Sequence, residues 1–207
     1  MNFQIVKKAI VDTLGAAAEG RFTVVGYQGQ GQDARESKDR PTVQVFFSQG
    51  NFPKSRGAQY GDVQHAMIYA IGVTASAAAK CNLAAINMAD ALPTQKAAAL
   101  AAARDASSIA DDLWDDTAAA VRNILMDPRN ADLGLRVGLV SDRWVDAISK
   151  EDPLPQGELV LLNGTVQFSC QTVEPVGGEV SKPAVGGVST VLDLVGDNVE
   201  KTGVTTP

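Results

Sequence analysis

The sequence predicts an α+β fold: a mixed, mainly antiparallel sheet packed by an N-terminal helix and a long helix, with an alanine-rich helical insertion and an extended C-terminal tail. Three observations predict it. Runs with a two-residue apolar period lie on both sides of a helical block, so strands and helices are segregated rather than alternating. The first eighteen residues carry apolar side chains at helical spacing. After Glu174 glycine, proline and valine crowd the chain and the periodicity is lost.

Each element follows from its own pattern. Phe3, Val6, Ile10, Val11 and Leu14 recur on one side of a cylinder whose other side carries Lys7, Lys8 and Asp12, which predicts an amphipathic helix over residues 2–18. Gly20 ends it. Phe22 to Tyr27 is a short β-rich run, and residues 28–40 have no apolar period and read as a long polar loop carrying Arg35 and Lys38. Pro41 opens a strand in which Val43, Val45 and Phe47 alternate with Thr42, Gln44 and Phe46. A second polar loop, residues 49–62, carries Phe52, Lys54, Arg56 and Tyr60. From Val63 to Thr74 a strand puts His65, Met67, Tyr69, Ile71 and Val73 on one face. Its other face, Ala66, Ile68, Ala70 and Gly72, is small, and a helix is expected to pack close against it.

Residues 75–106 are dense in alanine, the strongest helix former, and Pro93 is expected to break them into helices over 77–91 and 94–106. Ser107 or Ser108 then caps a longer helix through Met126, with Ile109, Leu113, Val121, Ile124 and Leu125 at core spacing. In this reading Asp111, Asp112, Asp115 and Asp116 sit near that helix's positive start. Asp127-Pro128 stops it. Leu135 to Val140 resumes β character through Trp144 and Val145, Pro153 and Pro155 mark a loop, and Asn163-Gly164 suits a hairpin turn. Val166, Phe168 and Cys170 then alternate with Thr165, Gln167, Ser169 and Gln171 in the last strand. The expected organisation is one α+β domain over 1–174 and a Gly/Pro/Val-rich extension over 175–207. Within that extension Thr190 to Val195 is apolar enough to add a strand to a neighbour's sheet edge.

Chemistry is sparse. The formal net charge of −6 argues against a surface that grips phosphates, because nucleic-acid binding rests on Lys and Arg displacing condensed counterions. A polyanion could still slide past a neutral or acidic wall. No apolar run is long enough for a membrane helix, the N-terminus lacks the uninterrupted apolar core of a secretory signal, and Cys81 and Cys170 suit a reducing compartment as packing residues. Gly26, Gly29 and Gly31 lack the spacing of a dinucleotide loop. The single histidine, His65, could serve as a general base, but a packed strand histidine fits better, and the four aspartates lack the glycine turn of a calcium loop. No catalytic residue, cofactor or metal is therefore expected. Trp114 and Trp144 are assigned to packing or oligomer contact.

Three stretches carry a family resemblance: Ile5-Val6-Lys7-Lys8-Ala9-Ile10, Asp62 through Val73, and Gly164-Thr165-Val166-Gln167-Phe168-Ser169-Cys170. With the order of elements over residues 1–174, they resemble the tail-terminator and head-to-tail joining proteins of tailed bacteriophages. The resemblance implies a small α+β protomer that forms a ring, usually hexameric, on the end of the tail tube. It implies a virion protein at the head–tail interface, assembled in the host cytoplasm. Its partners would be other copies of itself, the tail-tube protein and a head-completion or connector protein, with DNA passing non-specifically through the lumen. Arg35, Lys38, Phe52, Lys54, Arg56 and Tyr60 are then the candidate partner or lumen contacts. The sequence departs from the compact family pattern in the 75–106 stretch and in the tail. The alternatives are another ring-forming connector or tail-tube subunit, a small enzyme using His65, and a soluble binding module.

Overall fold

The computed structural model describes residues 3–26, 40–51 and 61–176. It is an α+β fold: two α-helices and a six-stranded sheet in which one pairing is parallel and the rest antiparallel. The strands are β1 (Thr23–Val25), β2 (Thr42–Asn51), β3 (Gly61–Ala78), β4 (Val140–Lys150), β5 (Leu154–Gln156) and β6 (Leu159–Val176), in the order β1-β2-β3-β6-β4 with β5 also on β6. The helices are α1 (Phe3–Ala17) and α2 (Pro93–Met126).

The spine of the molecule is the antiparallel pair of β3 and β6, each 18 residues long, in register from Gly61 opposite Val176 to Ala78 opposite Leu159. The strict alternation expected of β3 is observed. Met67, Tyr69, Ile71 and Val73 are fully buried, and so are Val166, Phe168 and Cys170 facing them from β6. Val43 and Val45 join them from β2. Both helices pack on this inner face. From α1 come Val6, Ala9, Ile10 and Leu14, and the Tyr69 hydroxyl donates to the Phe3 carbonyl at 3.0 Å. From α2 the Trp114 indole donates to the Val73 carbonyl at 3.0 Å.

The helices therefore lie on the opposite side from the one expected. The small face of β3, with Ala66, Ile68, Ala70 and Gly72, is the half-buried outer face of the sheet. Large buried side chains give a helix more apolar area to cover than alanine does, at about 25 cal/mol per Å², and that decides the side.

Residues 75–106 also differ from expectation. Ala75 to Ala78 complete β3, a short 3-10 helix covers Leu83–Ile86, and from Pro93 a single helix of 34 residues runs without interruption to Met126. Pro93 starts α2 rather than breaking a helix, because at the first helical position its missing N–H has no partner to lose. Ser107 is not a cap: its hydroxyl donates to the Ala103 carbonyl at 2.7 Å, four residues back in the same helix. The four aspartates thus lie in mid-helix, away from the positive start. The face that α2 buries is Ala99, Ala103, Ala106, Ala110, Trp114, Thr117, Ala118, Val121, Ile124 and Leu125. Alanines let its first half approach closely, so Ile109 and Leu113 are left exposed instead of joining the core.

Three smaller boundaries also move. Leu135 to Leu139 form turns and β4 begins at Val140; Pro155 lies in β5; and β6 continues to Val176, two residues past the expected domain end. Gln49 to Asn51 and Gly61 to Asp62, expected in a loop, belong to β2 and β3. Asn163-Gly164 is not a turn but mid-strand, opposite Thr74 and Val73. The β5–β6 turn uses Gly157, at φ +64°. Gly164 is needed because Trp114 lies against it: a Cβ there would sit 2.8 Å from the indole Cε2, and closer still to Cζ2 and to the Ser149 carbonyl oxygen.

Candidate assembly surfaces

Arg35, Lys38, Phe52, Lys54, Arg56 and Tyr60 all lie outside the described residues, as do residues 177–207. The described chain fixes only where their segments attach: Gly26 and Arg40 flank one, Asn51 and Gly61 the other.

The residues weighed for chemistry are dispersed. His65 lies on the inner face, 8% exposed, and its carbonyl accepts from the Thr172 hydroxyl at 3.4 Å. Cys170 is buried beneath the sheet, and burial pushes its thiol up to about 12. Cys81 is half-buried beside α2, and both cysteines are free thiols. Asp111 and Asp115 face β4, where Lys150 Nζ lies 2.8 Å from one and 2.6 Å from the other and 5.0 Å above the Trp114 ring. The hydrogen bonds that the Lys150 ammonium donates to the two carboxylates hold its pKa above the ordinary value. This cluster ties the edge of the sheet to the middle of α2. Among the described residues no group of three or more His, Cys, Asp or Glu side chains converges as a metal site, and no helix is long and apolar enough to cross a membrane.

Arg143 makes a second tie between β4 and the helical layer. Opposite Cys170 its side chain turns inward, Nη1 donating to the Leu125 carbonyl and, at 2.9 Å, to that of Asn130, while Nη2 reaches the Asp127 carbonyl at 2.5 Å. These oxygens belong to the end of α2 and the turn after it, where carbonyls lack partners within the helix. Beside them Asp127 is held down to about 2, first by the Arg129 side chain and then by the Arg129 backbone N–H.

The described residues leave surface of three kinds. The first is the outer face of the sheet. Strand register places Thr42, Gln44 and Phe46 beside Ala70, Gly72 and Thr74, next to Asn163, Thr165, Gln167, Ser169 and Gln171. Trp144 lies on this face opposite Ser169, its indole donating to Asp146 Oδ1 at 2.5 Å while the Ser169 hydroxyl donates to Oδ2. Among the side chains described, Asp142 and Asp146 are the charged groups of this face, and no lysine or arginine of β2, β3, β6 or β4 is directed there by register.

The second kind is strand edge. At one end of the sheet no described strand pairs with the outer side of β4, and most of its residues are exposed. At the other, β1 covers only Thr42 to Gln44, so among the described residues β2 from Val45 to Asn51 has no partner on its outer side. The third kind is grooves. One of about 520 Å³ lies between α1 and β2, walled by Phe3, Lys7, Lys8, Val11, Phe46 and Phe47 and bordered by Gly26. The Phe3 and Phe47 rings stack there at 4.5 Å. Another, of about 600 Å³, lies between α2 and the turn before it and holds Cys81.

The alternation of Thr165 to Gln171 already separated the polar residues of the outer face from the core. The role of Phe3 and Phe47 in a groove was not legible, because their helical and strand periods count both simply as core. No protein-family model matches the chain, and no curated protein matches it in sequence.

Proposed function

We propose that this chain is a structural virion protein of a tailed bacteriophage, a tail terminator whose copies close into a ring on the tail tube, stop its polymerisation and provide the surface for head attachment. One observation supports the reading: among the described residues the sheet has an unpaired edge at each end, and the two ends are unlike. A contact between unlike surfaces is heterologous, and when its rotation closes it makes a ring. Each contact can be weak and the ring still hold, because every contact repeats and all must break together.

The rest of the surface is compatible with that role. The outer sheet face offers Gln, Thr and Ser hydrogen-bonding groups with two carboxylates, and nothing directed there from the described strands would grip a polyanion as DNA passes. The resemblance of residues 1–174 to the terminator and joining family supplies the number six and the neighbours: a tail-tube protein on one side and a head-completion or connector protein on the other. The job is geometric, so no bond is made or broken.

Light scattering and negative-stain microscopy of the full chain test this. Closed rings of one size are expected. Open tubes would instead identify a tube subunit, and a strict monomer at high concentration, together with normal tails on phage lacking the product, would overturn the proposal.

A further inference from the structure

We infer that residues 190–195, in the C-terminal extension, dock as an added strand on the edge of β2 that no described strand covers, in a second copy of the chain, with Leu192 and Leu194 entering the groove between α1 and β2. The inference rests on the ring reading for the presence of a neighbouring copy.

The acceptor is described by geometry. Over Val45 to Asn51 the described residues place nothing on the outer side of β2, which leaves a row of backbone donors and acceptors as a template for another strand. Beneath that edge lies an apolar floor built from Phe3, Val11 and Phe47, with Lys7 and Lys8 along its rim. An edge that offers hydrogen bonds over a floor that offers apolar contact is the arrangement by which extended peptides are bound: the main chain supplies affinity and alternate side chains supply fit.

The donor is described by sequence. Thr190-Val191-Leu192-Asp193-Leu194-Val195 has β-favouring residues, and its two leucines are two positions apart, so an extended backbone points both the same way. Asp193 then faces outward with the outer side of the sheet.

Reach fits as well. β6 ends at Val176, and thirteen residues, 177–189, separate it from Thr190. That length spans at most about 47 Å fully extended. As a flexible coil it spans about 20 Å. If a neighbour's β2 end faces this copy's β4, the docked strand lies two strand positions from β6, about 10 Å away. The tether therefore exceeds the gap without wasting effective concentration.

Cross-linking of full-length chains tests this. One chain carries Gln49→Cys and the other, distinguished by an affinity tag, carries Asp193→Cys, both with Cys81→Ser; they are mixed and treated with a short bismaleimide. The expected product is a covalent pair of unlike chains in clear excess over either like pair, reduced about ten-fold when Leu192→Asp and Leu194→Asp are added to the donor. The Leu192→Asp, Leu194→Asp chain should also release its ring at about ten-fold higher concentration than the parent. Unlike pairs no more abundant than like pairs would overturn the inference. So would closure within a single chain carrying both cysteines when diluted into excess parent protein. A leucine variant whose ring is as stable as the parent's would overturn the strand and leave the ring reading standing. A parent chain that is monomeric throughout would overturn the ring reading itself.

Discussion

Replacing Gly164 by alanine tests the packing logic at its tightest point. The added Cβ would lie 2.8 Å from Trp114 Cε2 and nearer still to Cζ2 and to the Ser149 carbonyl oxygen. Neither neighbour yields easily. The carbonyl is backbone of β4, and the indole is 2% exposed and tied to the Val73 carbonyl at 3.0 Å. Overpacking of a filled core costs about 1–3 kcal/mol. Displacing the indole from Val73 adds about 1 kcal/mol. The sum, about 2–4 kcal/mol, is a large share of the stability of an ordinary domain. In urea it corresponds to a midpoint lower by about 1–2 M. Equilibrium unfolding of Gly164→Ala, Trp114→Phe and the double variant separates the two clashes. A phenyl ring lacks the indole atoms nearest the new methyl, so the alanine should cost less when Trp114→Phe is already present, with a coupling of at least about 1 kcal/mol. A Gly164→Ala midpoint shifted by less than about 0.5 kcal/mol would refute the reasoning and show that strand and helix slide apart freely.

Three other outcomes follow from the same contacts. Arg143→Met should destabilise the chain by about 3 kcal/mol by stripping the carbonyls at the end of α2 of a charged donor, and Arg143→Lys should recover only part, because one ammonium cannot span the sites that a guanidinium fork reaches; equal midpoints for the two variants would contradict this. Asp127, titrated by carboxyl NMR, should ionise at about 2, and Arg129→Gln should bring it back toward the ordinary 3.8. Since its folded value is the lower one, its contribution to stability is complete above the ordinary carboxylate range and drains away as pH falls toward about 2, so Arg129→Gln should flatten that acid limb. Iodoacetamide at about pH 8 should leave Cys170 untouched in the folded chain, because burial holds the thiol up near 12, and should label it once urea unfolds the protein; mass spectrometry that finds Cys170 alkylated under native conditions would contradict the burial.

Most strand positions were legible because the sheet is half-buried and its residues alternate from His65 to Thr74 and from Thr165 to Gln171. The N-terminal helix and the end of the long helix were legible as well, and only the first part of the long helix was misread, for a physical reason. Alanine has high helix propensity, yet a face of alanine looks neither apolar nor polar enough to show which side is buried, so Ile109 and Leu113 drew the predicted core to the wrong flank. Pro93 and Asn163-Gly164 carry local signals for a break and a turn, and tertiary context overrode both: one starts a helix, and the other makes room for Trp114. The clamps by Arg143 and Lys150 join residues 13 to 39 positions apart, beyond the reach of any local pattern. The six candidate contacts in the polar loops lie outside the described residues, so the surfaces argued from structure are different ones.

The long pairing of β3 with β6 also governs how the chain comes to exist. Partners in that ladder are separated by 81 to 115 positions along the polypeptide. On a ribosome, β3 therefore emerges well before the strand that completes it, while all of α2 is still to be made. Closing so distant a contact is entropically costly, which places the chain among slow folders for its size. During that interval the bare side of a hydrophobic strand is open to the same strand in other nascent copies, an aggregation hazard that grows with their concentration.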